Sequence, residues 1–133
     1  MSAMYEATTD GIRVAVTPVF LDEQSDPREH RYLWAYHITI ENKGHEPVQL
    51  LTRRWHITDA RGRIREVEGP GVVGQQPVIP PGQRHEYSSG VPLETPSGFM
   101  TGTYQMKSAS GRGFDVKIPL FALESPFEER RVH

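Results

Sequence analysis

Apolar and polar residues alternate along most of the chain. The clearest run covers residues 32–41, where every second residue is aromatic or β-branched. A period of two with these residue types is typical of a β-strand that turns one face toward a core, which places Trp34 in that core. The same alternation over residues 12–16 predicts a first strand. Because Pro18 has no N–H to donate to a neighbouring strand, we expect this strand to be bulged there or to lie at a sheet edge.

Turns rich in glycine and proline separate the other extended patterns, which cover residues 48–58, 63–67, 84–91, 99–107 and 114–120. No stretch of useful length has the i, i+3, i+4 spacing of an amphipathic helix. The sequence therefore predicts an all-β fold of about seven strands. An antiparallel two-sheet sandwich is the simplest arrangement, and a partly open or up-and-down barrel is the alternative.

The 133 residues correspond in length to one domain. We place the β-domain at residues 11–126, with a flexible lead-in at 1–10 and a charged tail at 127–133. The absence of cysteine excludes disulfides and thiolate chemistry. The N-terminus lacks the apolar run of a signal peptide or membrane helix, so we expect a cytoplasmic protein without membrane association.

The charge balance argues against nucleic acid as a partner. Fifteen basic and seventeen acidic residues give a net charge of -2. The basic residues at 53–54 and 61–65 form no long stripe, and no aromatic residues are interleaved to stack on bases. They are typical of solvated strand faces and turns.

The segment 69–74 reads G-x-G-x-x-G, the pattern of a dinucleotide-binding turn. Such a site needs a helix directly after the glycines, and Pro77, Pro80 and Pro81 forbid one. Two interpretations remain, namely a loop shaped only by its glycines and a loop that recognises an anion or a partner's carbonyl groups. Trp55 could belong to the core or to an interface. Our candidate binding set is Gly69, Gly71, Val72, Val73, Gly74, Arg53 and Trp55.

The histidines give little support for a metal site. None of the six forms an H-x-H or H-x-x-x-H pair. His37 and His56 could meet across adjacent strands with Glu66 or Glu86, which keeps a transition-metal site possible. Isolated imidazoles are the simpler interpretation, so we predict no metal site and no cofactor.

No catalytic set can be assembled from local sequence. His85, Glu86, Ser88 and Ser89 are neighbours, but successive residues of a strand point to opposite faces. The chain has no G-x-S-x-G motif. We therefore predict a protein that is not an enzyme and has no catalytic residues.

Several ordered motifs resemble the ApaG domain family, also called CorD. They extend from about residue 11 to Pro126 and include the following segments: residues 31–42, 47–58, 68–82, 87–90, 94–106 and 118–121. Two positions depart from the family pattern, since Pro70 stands where a free amide is expected and the tail from Phe127 is charged.

The resemblance implies a fibronectin type III-like β-sandwich in a bacterial cytoplasmic protein associated with cobalt tolerance and magnesium efflux. Relatives in F-box proteins and in a polymerase-δ-interacting protein suggest protein–protein contact as the role of the domain. We therefore predict a non-catalytic module that binds a protein partner of unknown identity. The alternative is a protein that binds a divalent metal or an anion, such as a phosphate-containing ligand.

Overall fold

The computed structural model describes residues 3–127. Two short 3-10 turns lie at Asp22–Gln24 and Pro27–Glu29, and no helix among the described residues is long and apolar enough to cross a bilayer. The strands of the described region are β1 (Tyr5–Thr9), β2 (Ile12–Phe20), β3 (Tyr32–Asn42), β4 (Val48–Asp59), β5 (Ile64–Pro70), β6 (Val78–Ile79), β7 (Arg84–Leu93), β8 (Gly98–Ser108) and β9 (Gly113–Leu123).

The strands form two antiparallel sheets packed face to face. The first sheet has the order β1-β2-β3-β7, and the second has the order β5-β4-β8-β9 with β6 paired to the start of β4. β1 and β2 contact β9, which brings the two sheets together along one side. This arrangement confirms the predicted all-β, fibronectin type III-like sandwich. On the opposite side, β5 and β7 are the outer strands.

Alternation along β3 builds much of the core, as predicted. Its inward residues from Tyr32 to Ile40 are buried, and Trp34 is only 1% exposed. The Trp34 Nε1–H donates to the Glu124 carbonyl oxygen at 2.9 Å, so the indole satisfies its one polar group inside the core. Burial of large side chains on one face therefore fixes the strand's orientation.

Strand β1 had no counterpart in the sequence prediction, whose first strand corresponds to β2. Residues 1–10 were expected to be a flexible lead-in, whereas Tyr5–Thr9 pairs with β2. The five residues are mainly polar and half exposed, so they lack a strong apolar alternation. The hairpin is closed by Asp10 and Gly11, both with positive φ. Asp-Gly is a favoured pair for such a turn, and this was the signal that alternation alone did not use.

Pro18 lies where its missing N–H is tolerated. β1 begins at Tyr5, which pairs with Val16, so the outer edge of β2 has no β1 partner at Pro18. This agrees with the expectation of an edge position.

Near the C-terminus, the ring centroid of Phe127 lies 6.0 Å from that of Phe20 and 6.2 Å from that of Tyr32. The rest of the predicted tail, residues 128–133, lies outside the described residues.

We expect Trp34→Ala to lower the free energy of unfolding by about 3–5 kcal/mol, because it leaves a large cavity in the core. The measurement is urea unfolding followed by circular dichroism. The control is Leu120→Ala, whose side chain is exposed and should cost less than about 1 kcal/mol. Equal losses for the two variants would contradict the central position of Trp34.

Candidate binding site

The glycine string forms a tight turn with no helix behind it. Val72 donates its N–H to the Gln75 carbonyl at 2.8 Å, and Gln75 returns the bond at 3.0 Å. The two residues between them, Val73 and Gly74, have φ values of 46° and 76°. Positive φ at both central positions is the geometry of a type I′ turn. We call residues 72–75 the Val73 turn.

Val73 is an unusual residue for its position. A β-branched side chain at positive φ crowds the backbone, at a cost of about 1–2 kcal/mol. The side chain recovers little of this by packing, since the residue is 66% exposed. Val72, directly before it, is by contrast 1% exposed and belongs to the core. Only one of the two predicted loop valines therefore projects from the surface.

Hydrogen bonds fix the Val73 turn to strand β4. A β-bulge at Leu51 turns its carbonyl oxygen outward, where it accepts from the Gly71 N–H and from Gln76 Nε2, both at 2.8 Å. Arg53 Nη1 donates to the carbonyl oxygens of Pro70 and Gly71, both at 2.9 Å. The turn is therefore held in place before any ligand arrives, which lowers the entropy cost of binding.

The glycines of the string have steric roles. Gly69 lies opposite Arg53 across the β4–β5 ladder, and a Cβ there would approach Arg53 Nη1 to 3.0 Å. Gly71 has φ of 60°, and its Cβ would meet the Gln75 carbonyl oxygen at 2.2 Å. Any larger residue at Gly71 would therefore distort the turn. A bulky substitution there would test stability more than recognition.

A cavity of about 460 Å³ lies beneath the Val73 turn, between the outer strands of the two sheets. Pro70 and residues 72–74 form one wall, and residues 87–89 of β7 form the other. Tyr36, Arg53 and Trp55 line the floor. We call this space the turn pocket. It brings Arg53 and Trp55 together with the predicted loop, although Trp55 is 3% exposed and mainly a core residue.

Trp55 packs against aromatic neighbours on both sides. Its ring centroid lies 5.4 Å from that of Tyr36 and 6.0 Å from that of Phe121, in edge-to-face arrangements. Such pairs add to the stabilisation that burial alone gives. Trp55 therefore supports the pocket floor from within the core.

Tyr36, Tyr87 and Arg53 supply polar groups to the turn pocket, and Tyr104 is buried next to Tyr87. The hydroxyls of Tyr87 and Tyr104 share a hydrogen bond, and Tyr36 lies opposite Ser89 in the β3–β7 ladder. Burial raises the pKa of all three phenols, while the positive charge of Arg53 acts in the opposite direction. The floor therefore offers neutral hydroxyls beside a fixed cation.

No carboxylate of the described residues forms an ion pair with the Arg53 guanidinium. The ion pairs found among residues 3–127 do not include it. Its neighbour Arg54 points to the opposite face of β4 and pairs with Glu68 at 2.7 Å. Arg53 therefore faces the turn pocket between the sheets, whereas Arg54 lies on the outer surface of the second sheet.

Sequence reasoning missed Tyr36, Tyr87 and Ser89. Alternation along β7 does place Tyr87 and Ser89 on one face, and β3–β7 pairing sets Ser89 opposite Tyr36. Their contact with Arg53, however, depends on how the two sheets stack. Local sequence carries no signal for that stacking.

His37 and His56, which could have met across adjacent strands, lie in different sheets. His37 lies 3.2 Å from Glu86 and 2.9 Å from Ser88 on the outer face of the first sheet. His56 faces Glu66 in the second sheet. Each histidine therefore has the expected carboxylate, but the two histidines do not meet. Within residues 3–127, no group of three or more His, Asp or Glu side chains is placed to hold a metal ion.

A second cavity of about 460 Å³ lies at the other end of β7, lined by residues that include Ile57, Arg65 and Pro92. Arg65 Nη2 donates to the Pro92 carbonyl oxygen at 3.3 Å, which connects β5 to β7. The start of β5 and the end of β7 line this cavity, whereas the end of β5 and the middle of β7 line the turn pocket, so the two strands run in opposite directions across the space between the sheets. We call the space between them the seam, with the turn pocket at one end.

We expect stability to fall as pH rises above about 10. Burial raises the folded-state pKa of Tyr36, Tyr87 and Tyr104. The unfolded chain therefore releases these protons first, and stability is full below its tyrosine pKa and declines above it. The measurement compares phenolate absorbance with circular dichroism during alkaline titration. Ionisation of these tyrosines while the dichroism stays native would contradict the burial of the cluster.

Comparison with known proteins gives the family. The profile of the ApaG domain matches residues 22–108. Protein ApaG of Rhodospirillum centenum is 58% identical over 128 residues, 96% of this chain and 98% of the relative. Protein ApaG of Paramagnetospirillum magneticum is 55% identical over 130 residues, 98% of this chain and 100% of the relative. A crystal structure from Bordetella pertussis, described as an ApaA protein, matches with a TM-score of 0.84 and 46% identity, covering 92% of this chain and 97% of that chain. The chain belongs to the ApaG domain family.

Proposed function

We propose that this chain is a non-catalytic binding module that recognises a protein partner at the turn pocket. The observation that carries the proposal is the anchoring of the Val73 turn, which Arg53 and Leu51 fix above an open cavity. A preorganised loop on a rigid sandwich is a common form of recognition site. The cavity also combines tyrosine, tryptophan and arginine, the residue types that dominate binding energy at protein interfaces.

The chemistry of the pocket suits binding better than catalysis. Tyr36 and Tyr87 stay protonated because burial raises the pKa of each phenol. Neutral phenols and an arginine donate hydrogen bonds well but are poor bases at neutral pH. Ser89 lies opposite Tyr36 in the β3–β7 ladder, whereas the serine that bonds a histidine is Ser88, on the outer face. This arrangement supports a role in holding a ligand.

The family resemblance associates the domain with cobalt tolerance and magnesium efflux, and this chain could take part in them without binding a metal itself. We infer that any such role of this chain acts through its protein partner, in the cytoplasm. A directly bound metal is the less supported route, because His37 and His56 lie in different sheets, each with a single facing carboxylate. Transition-metal sites in proteins generally use three or four ligands.

A second candidate function is the binding of an anion, such as a phosphate-containing ligand. Arg53 favours it, since the guanidinium lines the turn pocket without a carboxylate partner among the described residues. Ser89 lies on the inward face of β7 and lines the same cavity, whereas the Ser88 hydroxyl bonds His37 on the outer face. The turn itself argues against a nucleotide, because its amides open no helix whose dipole would stabilise pyrophosphate.

We expect Arg53→Gln to abolish capture of the partner and Arg54→Gln to preserve it. The first change removes the charge in the turn pocket, whereas the second removes an exposed charge on the opposite face of the same strand. The measurement is affinity capture from the source bacterium's lysate with quantitative mass spectrometry. Thermal denaturation of both variants checks that each is folded. A partner retained equally by the two folded variants would place the interface elsewhere.

For the anion alternative, we expect calorimetric titration of inorganic phosphate and pyrophosphate to give no saturable binding at micromolar concentration. The reason is that a free anion would meet a single guanidinium and, within the described chain, no helix N-terminus, and it would lack the backbone bonds that a peptide could add. Micromolar binding that disappears in Arg53→Gln and persists in Arg54→Gln would establish the alternative instead.

A further inference from the structure

The chain builds the same tight turn twice, with different residues. The β1–β2 hairpin uses Asp10 and Gly11, with φ values of 49° and 78°. The Val73 turn uses Val73 and Gly74, with φ values of 46° and 76°. Aspartate and asparagine tolerate this left-handed conformation, and valine does not. The chain therefore uses a favoured residue in one turn and a strained residue in the other.

Folding does not account for the valine. The Val73 side chain is 66% exposed, so it is not retained for packing in the core. Its position does offer a reason, since Val73 lines the turn pocket. Strained residues tend to persist where a surface has to recognise something. Val73 is thus an apolar contact held at the mouth of the pocket.

The other wall of the pocket is an open strand edge. Leu33 of β3 lies opposite Pro92 of β7. The Leu33 carbonyl oxygen accepts from the Leu21 N–H, and the Leu33 N–H donates to Ser25 Oγ, so both groups point away from β7. The Pro92 carbonyl therefore points out of the sheet, where Arg65 donates to it. Since N–H and C=O groups alternate in direction along an antiparallel strand, those of Glu86, Ser88 and Gly90 also point outward.

We propose that this edge accepts an extended peptide as an added β-strand, with one apolar side chain against Val73 and one acidic side chain toward Arg53. The proposal rests on the proposed function and names its ligand. Backbone bonds to residues 86–90 would supply affinity, and the pocket would supply specificity. The acid follows from charge complementarity, because Arg53 in the pocket and Arg65 along the seam are both cationic.

Alternation fixes the spacing of the two side chains. Residues of an added strand that face the second sheet recur at every second position. Val73 and Arg53 both lie on that side of the added strand, at the wall and the floor of one pocket. The recognised segment should therefore carry its apolar and acidic residues two positions apart, with no proline between them.

The test is selection of binders from a displayed library of random linear peptides of seven residues, using the full chain as bait. Selected peptides are synthesised and titrated into the wild type, Val73→Asn, Arg53→Gln and Asp10→Asn. We expect Val73→Asn and Arg53→Gln each to weaken binding at least tenfold, and Asp10→Asn to leave it unchanged. We also expect the amides of Ser88 and Gly90 to become protected from hydrogen exchange in the complex.

Thermal denaturation keeps strain and recognition apart. Val73→Asn should raise the melting temperature by about 2–6 °C, because asparagine tolerates the left-handed conformation. Asp10→Val should lower it relative to Asp10→Asn by a similar amount, which measures the same strain in the distant hairpin. A lower melting temperature for Val73→Asn would overturn the inference, since Val73 would then be a structural residue.

The outcomes separate the two levels of the proposal. Peptides that lose affinity in Arg53→Gln but not in Val73→Asn, or that leave the β7 amides unprotected, would overturn the inference and leave the binding function standing. If no peptide is selected, or if every selected peptide is insensitive to Arg53→Gln, both the inference and the proposed use of the turn pocket fail.

Discussion

One guanidinium on the inner face of the second sheet organises the open side of this sandwich. Arg53 occupies the same face of β4 as Trp55 and Ile57, which are buried. A charge at such a position is tolerated only when its donors are satisfied. The carbonyl oxygens of Pro70 and Gly71 accept from it, which draws the following loop over the sheet edge. The position of the Val73 turn therefore depends on the hydrogen bonds that Arg53 makes to the residues just before it.

The surrounding residues fit this requirement. Gly69 leaves the space that the guanidinium occupies, and the Leu51 bulge supplies a carbonyl that holds the loop from below. On the opposite sheet, Tyr36 and Tyr87 line the same pocket, and the Tyr87 hydroxyl shares a hydrogen bond with Tyr104. A polar network that is satisfied internally is rigid. This rigidity makes the pocket a feature of the resting protein, formed before any partner binds.

The parts of this structure that follow from local rules could be predicted, and the rest depends on long-range packing. Alternation gave β3 and its buried Trp34, because side-chain period alone decides which face is inside. β1 was missed because its apolar signal is weak, although Asp10 and Gly11 marked its turn. The turn at Val73 could not be predicted from propensity, since valine disfavours that conformation.

The candidate binding site shows the same division. Arg53, Trp55 and the glycine string were proposed from sequence as one candidate set, but their position around one cavity with Tyr87 was not predicted. Residues 53 and 87 belong to different sheets, and only the stacking of those sheets brings them together. For the same reason, sequence could not decide whether His37 and His56 meet. The two residues lie on the outer faces of separate sheets and do not meet. Contacts within a sheet follow alternation, whereas contacts between sheets do not.

The two outer strands of the seam differ in how they are protected, and this difference limits where a partner can lie. β5 carries three charged residues, Arg65, Glu66 and Glu68, which discourage pairing with another chain. β7 carries no such run, but Pro92 removes one outward donor and Arg65 occupies its carbonyl. That end of β7 is therefore closed to an added strand. The outward groups that remain, over residues 86–90, lie beside the turn pocket, so the proposed strand addition and the proposed pocket recognition involve the same part of the surface.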